Sequence, residues 1–202
     1  MNKNKERLCY PSSHLKNIVF MGMGEPLDNL KELLKAISIL SDKNGINFSH
    51  KRMTVSTVGV LPNIAEILER TDVNLAISVH SPFEKERSKI VPSNRKWPLA
   101  RILDVLRQSV KTKERTFFIQ YTLMQGVNDS LEHAYELSKI LNAIPSKINL
   151  IPLNEHDATT FKKPEMTRVH EFRKVLIKEG FVTTIRFSKG EDIFAAYGQL
   201  IK

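Results

Sequence analysis

Four polar segments follow the ends of apolar runs in this chain, and their residue types and spacing suit the capture of a ligand. Met21-Gly22-Met23-Gly24-Glu25-Pro26 is the first. Glycines there let the main chain approach a bound molecule and leave N–H groups open. The carboxylate of Glu25 can accept hydrogen bonds from an ammonium group. Ser56-Thr57-Val58-Gly59, Ser78-Val79-His80-Ser81-Pro82 and Asn154, which closes Asn149-Leu150-Ile151-Pro152-Leu153-Asn154, supply hydroxyl, imidazole and amide groups at three further ends. Taken singly, Ser, Thr and Asn at such places satisfy turns and helix caps. Four together point to a shared pocket, in which His80 is either an acid–base group or a pocket-lining hydrogen-bond donor.

Other chemistries find little support. The 202 residues include one cysteine, Cys9, which excludes an internal disulfide and a multi-cysteine metal site, so no metal ligands are assigned. His133 and Glu136, one helical turn apart, read as solvated, and Asn154-Glu155-His156-Asp157 reads as an acidic loop. No HExxH, Walker loop or GxSxG elbow occurs. No stretch approaches the roughly 18 apolar residues that span a bilayer, and no apolar segment follows the polar, basic N-terminus as in a secretory signal. The cytoplasm is the expected compartment.

The elements that must position these groups alternate regularly. Strand-like runs fall at 18–21, 53–57, 74–80, 116–123, 148–153 and 182–187. Between them lie helical patterns. One covers 29–40 with Asp28 as its expected cap, one runs from Leu61 with Pro62 in its first turn, and one opens at Pro98. Two more follow Ser130 and cover 167–179, where Gly180 suits the end, and a short terminal helix is expected at 193–201. Strands alternating with amphipathic helices predict an α/β fold with a parallel sheet of about six strands covered by helices, either an open doubly wound sheet or a section of a βα barrel. Both place functional residues at the carboxyl ends of the strands. A polar leader, 1–16, and a single domain, 17–202, are expected.

Charge adds a partner. Lysine and arginine number 31 against 22 acidic residues, a net charge of +9. Residues 85–115 hold ten basic against three acidic side chains, which favours a polyanion. Lys85, Arg87, Lys89, Arg95 and Lys96 are the candidate RNA contacts. Aromatic residues are sparse there, so phosphate contact rather than base readout is expected.

In order along the chain, segments 20–27, 54–59, 75–82, 122–130 (with Gly126-Val127-Asn128-Asp129), 149–154 and 186–200 resemble the successive motifs of the radical-SAM 23S rRNA adenine methyltransferases of the RlmN/Cfr type. The similarity covers nearly the whole chain from about Lys16 onward, and the motifs are specific jointly rather than singly. The resemblance implies a partial (βα)6 radical-SAM barrel. It implies binding of S-adenosylmethionine (SAM) by Gly24, Glu25, Ser56, Ser78, Val79, His80 and Asn154, and ribosomal RNA as partner.

The departures from that pattern are informative. The family's Cys-x-x-x-Cys-x-x-Cys motif, which holds an iron–sulfur cluster, precedes the glycine–glutamate turn, and here only a short leader stands there. The accessory domain, the acid–base glutamate and the resolving cysteine have no counterpart. Tyr197 occupies the position of the methyl-carrying cysteine; a phenol, with an ordinary pKa of about 10 against about 8.5 for a thiol, is a poor substitute. Without thiolates there is no cluster. The expectation is a truncated homologue without methyltransferase activity by itself, able to retain SAM and RNA binding. The alternatives are a non-catalytic basic RNA-binding module, one half of a two-chain methyltransferase whose partner also covers the open edge of the first strand, and an ordinary βα metabolic enzyme.

Overall fold

In the computed structural model, the structure describes residues 15–22, 24–155 and 159–187. Six strands run β1 (Ile18–Phe20), β2 (Met53–Thr57), β3 (Asn74–Ser78), β4 (Phe117–Leu123), β5 (Ser146–Pro152) and β6 (Val182–Ile185). Helices α1 (Leu30–Ser41), α2 (Leu61–Arg70), α3 (Glu84–Ile90), α4 (Leu99–Thr112), α5 (Leu131–Ile140) and α6 (Met166–Lys178) lie between them. All five strand pairings are parallel and the spatial order is the sequence order, β1-β2-β3-β4-β5-β6.

That order decides between the two architectures left open above. Parallel crossovers are right-handed. With no reversal of strand order, crossovers of one hand place every helix on the same face of the sheet. A doubly wound sheet needs a reversal, and this one has none among the described strands. The result is an arc of a βα barrel, with helices outside and a concave inner face.

Side-chain alternation along each strand sorts residues between these faces. Met53, Val55, Leu75, Ile77, Phe117, Ile119, Tyr121, Leu123, Ile148 and Leu150 point outward and are buried with the apolar stripes of the helices. Those stripes include Ile64, Ile67 and Leu68 of α2, Leu99, Ile102, Leu103 and Leu106 of α4, and Val169, Phe172 and Leu176 of α6. Tyr121 and Phe172 meet with ring centroids 5.3 Å apart. Ser56, Ser78, Gln120, Asn149 and Thr184 occupy the opposite, inner positions.

Three local expectations are corrected. Asp28 does not cap α1; it lies in a 3-10 turn (Pro26–Asn29) that precedes the helix, and Asn29 is the N-cap residue, without a side-chain hydrogen bond. Glu25 caps that turn instead, accepting from the Leu27 N–H at 3.0 Å. Helix α3 interrupts the basic stretch, where no apolar stripe announces it. His133 is buried rather than solvated, as described below. Most of the leader, Met23, the acidic-loop residues 156–158, and the terminal segment with its expected helix and Tyr197 lie outside the described residues. Among the described residues, no helix is long and apolar enough to cross a membrane.

Gly59 joins β2 to α2 with φ +113°, and a methyl group added there would lie 2.2 Å from Ile102 Cδ1, in the buried core. Both the backbone region and the space demand glycine. Gly59→Ala is therefore expected to cost about 1–3 kcal/mol, read as a lower urea midpoint at unchanged slope; an unchanged midpoint would contradict this packing.

Candidate functional site

The strand ends are held together chiefly by main-chain hydrogen bonds to three buried or half-buried side chains. Glu25 is the first. Its Oε2 accepts from the Val58 N–H at 2.8 Å, so the carboxylate ties the turn after β1 to the end of β2. With Oε1 on Leu27, both oxygens already hold amide donors; each retains a second lone pair for a ligand. The preceding Gly24 has φ +91° and nothing within 4 Å of the place where a Cβ would be, so its main chain faces open space.

Arg87 is the second. It is fully buried, and its guanidinium donates to the carbonyls of Val79 (3.0 Å), Val58 (2.7 Å) and Ser78 (2.9 Å) and to Asn94 Oδ1. One cation thus joins the ends of β2 and β3 to α3. Burial lowers its pKa to about 10, with Glu84 opposing, so it stays charged at neutral pH. This corrects its assignment as an RNA contact, because no part of its charge reaches solvent. Asn94 is itself fixed, accepting from the Leu99 N–H at 3.1 Å and donating to Glu84 Oε2 at 2.7 Å.

Asn128 is the third. Its amide donates to the carbonyls of His80 and Thr122 and accepts from the Met124 N–H, while Tyr121 Oη donates to its carbonyl at 2.9 Å. The Gly-Val-Asn-Asp turn is therefore a buckle between β3 and β4. Gly126 takes φ +67° there, and Ser130 caps α5 by accepting from the His133 N–H.

His80 is held between these groups. It has φ +59°, in the left-handed region that few non-glycine residues adopt and that histidine tolerates better than most. Its Nδ1 accepts from the Thr122 N–H at 3.0 Å, which assigns the ring proton to Nε2. Burial, and then the Arg87 charge, lower its pKa to about 4. At neutral pH the ring is an uncharged donor rather than a proton shuttle.

The remaining candidates take their places at the same end. Ser56 and Ser78 are half-buried on the inner face, Val79 is buried with its N–H on the Gln120 carbonyl at 2.9 Å, and Asn154 is half-buried just beyond β5. Sequence reasoning missed Gln120 on the same face; a single amide inside Phe117-Phe118-Ile119-Gln120-Tyr121-Thr122-Leu123 was its signal. His133 was also underread: its Nε2 lies 2.8 Å from Glu86 Oε2 and its Nδ1 2.6 Å from Ser130 Oγ, while Ser81 Oγ donates to the same Glu86 oxygen at 2.8 Å. Lys85, Lys89, Arg95 and Lys96 are exposed, and Lys96 Nζ sits 4.9 Å over the Trp97 ring. Elsewhere in the basic stretch Arg107 caps the Ile140 carbonyl, and Arg115 holds the carbonyls of Leu68 and Thr71 beside Asp72.

A one-handed arc of six parallel strands coincides with what comparison finds. The profile of the Radical SAM superfamily matches residues 11–138. The chain belongs to that superfamily. It is 44% identical over 186 residues to the dual-specificity RNA methyltransferase RlmN of Geotalea uraniireducens, covering 92% of this chain and 54% of that protein. It is 46% identical over 187 residues to RlmN of Lawsonia intracellularis, covering 92% and 52%. A radical SAM methyltransferase from Sphaerobacter thermophilus superposes with a TM-score of 0.88 at 40% identity, over 92% of this chain and 55% of that one. A domain of pyruvate-formate lyase-activating enzyme from Bacteroides vulgatus, at 20% identity and TM-score 0.66, shares the fold. The chain is a partial RlmN-like radical SAM protein and spans about half the length of the curated relatives it matches.

Two outcomes follow from the geometry. With its native pKa near 4 against an ordinary 6.5, His80 takes up a proton more readily in the unfolded chain. Its contribution to stability is therefore intact above pH 6.5 and declines as pH falls from there towards 4. A C2–H resonance of His80 titrating near 6.5 in the folded protein would refute this. Arg87→Lys is expected to lose about 3 kcal/mol or more, because an ammonium cannot serve four acceptors arranged for a planar fork. Equal thermal midpoints for the variant and the parent would count against that role.

Proposed function

We propose that this chain is the part of an RlmN-like RNA methyltransferase that binds SAM across its strand ends and offers that site to RNA. What supports the reading is the convergence of Gly24, Glu25, Ser56, Ser78, Val79, His80 and Asn154 at one end of a six-stranded arc, with the family relationship behind it. The residues suit the ligand. The open main chain at Gly24 and the spare lone pairs of Glu25 fit an ammonium, and the Ser56 and Ser78 hydroxyls and the His80 Nε2–H fit carboxylate and ribose oxygens. The neutral tautomer of His80 donates without competing for a proton. SAM, when bound, supplies the methyl group.

The residues present do not fit the superfamily's iron–sulfur cluster. Among the described residues there is no group of three metal-capable side chains, and the 202 residues include one cysteine, Cys9. Cluster thiolates would come from beyond these residues, and by this reading the 202 residues alone do not cleave SAM. Tyr197, proposed to stand at the methyl-carrier position, would not carry a methyl group. Among the described residues β1 pairs only with β2; a strand from a second chain on its other edge is the two-chain reading.

RNA enters through charge. Arg87 fastens α3 to the strand ends, so the exposed Lys85 and Lys89 lie at the pocket end of the sheet, with Arg95 and Lys96 following. These four are the proposed phosphate contacts, and Arg87 is not among them.

Calorimetric titration with SAM is expected to show micromolar binding, weakened roughly three- to tenfold by Ser78→Ala. Absence of binding would overturn the proposal. After anaerobic treatment with iron and sulfide the chain should still fail to cleave SAM. RNA affinity should fall steeply with salt, and each of Lys85→Ala and Lys89→Ala should reduce the salt slope by about one.

A further inference from the structure

The amide of Gln120 has no hydrogen-bond partner among the described residues, although the side chain is only 4% exposed and its Oε1 is sealed from solvent. A buried acceptor left unmade costs roughly 1–3 kcal/mol, so a native structure rarely keeps one without a use. Its neighbours define where it points. Ile119 and Tyr121 face the helices, so Gln120 faces the concave side.

Strand register places Gln120 beside Ser78 on β3 and Asn149 on β5, and Asn149 beside Thr184 on β6. These four side chains form one polar row across the inner face. Within it Asn149 is braced, its Oδ1 accepting from Thr184 Oγ1 at 2.6 Å. One pleat below, Ala76 and Phe118 are apolar, and Ser56 and Lys147 flank them in the same row. The arrangement is an unpaired amide above the apolar pair Ala76 and Phe118, next to the Ser78 hydroxyl proposed to contact SAM.

A free amide presents an acceptor and a donor side by side. Adenine presents the complement, an exocyclic N–H beside a ring nitrogen, and glutamine amides read it with two hydrogen bonds. We propose that Gln120 is a purine-reading residue of the concave face, its Oε1 accepting from the 6-amino group of an adenine and its Nε2 donating to the adjacent ring nitrogen. This rests on the reading above in that the ligand is an adenine compound. The adenine belongs either to SAM or to RNA, and the two sources are separable by experiment.

The test is a double cycle on the full chain, pairing Gln120→Leu with removal of the 6-amino group. The probes are S-adenosylhomocysteine against its purine-riboside analogue, and a short single-stranded RNA with one adenine against the same RNA with purine at that position. Leucine approximates the glutamine volume without a polar atom, and thermal melting checks that the variant folds. The unaltered chain should lose about tenfold or more in affinity when the amino group is removed, and Gln120→Leu should bind both forms alike. Loss confined to the homocysteine pair supports the adenine of SAM, and loss confined to the RNA pair supports an RNA base.

Unaltered chain that binds both members of each pair equally overturns the assignment of Gln120 and leaves SAM binding standing. The same is true if Gln120→Leu keeps the full dependence on the amino group. Unaltered chain that binds none of the four probes overturns both the assignment and the function proposed above. Should Gln120→Leu not fold, Gln120→Met takes its place in the same cycle, with the same outcomes supporting or overturning the assignment.

Discussion

A positive charge buried beneath the strand ends is the constraint on which the site depends. Arg87 has no carboxylate within salt-bridge distance among the described residues, and its charge is spread over three main-chain carbonyls and one amide oxygen. Burying an ion is costly unless its hydrogen-bond capacity is filled. Those acceptors must therefore stay where they are: Val58 just after β2, Ser78 and Val79 at the end of β3, and Asn94 in the turn after α3. Burial first, and then the same charge, lower the proton affinity of His80, a side chain Arg87 does not touch by hydrogen bond.

Glu25 and Asn128 repeat the principle with different chemistry. A carboxylate joins β1 to β2 through amide donors, and a carboxamide joins β3 to β4 through donors and acceptors together. Each works on main chain rather than on side chains. The loops are therefore shaped by groups whose own rotamers are locked, as a site of defined geometry requires.

Much of this was legible in the sequence. The alternation of apolar runs gave six strands because outward positions such as Val55, Ile77 and Ile119 must meet helices. The polar strand ends stood out because serine, glycine and histidine interrupt those runs. Barrel and open sheet could not be separated, since periodicity reports which residues are buried and not the order in which strands pair. Arg87 was misread because a count of charges is blind to burial: its neighbours Lys85 and Lys89 are exposed, and nothing local marks the middle residue as different. Helix α3 was missed for a related reason, since Arg87 is its one buried side chain and no apolar stripe exists. His133 looked solvated on a polar helix face because its partner Glu86 lies 47 positions away.

The proposed site draws on the ends of β1, β2, β3 and β5, so its parts are separated by more than a hundred residues of chain. A molecule held there would join βα units that otherwise meet only their sequence neighbours. Its binding free energy would then oppose the opening of any one unit, not merely of the loop it touches. Occupancy would turn a row of nearest-neighbour couplings into one cooperative body, and slowed amide exchange in strands remote from the ligand would be its signature.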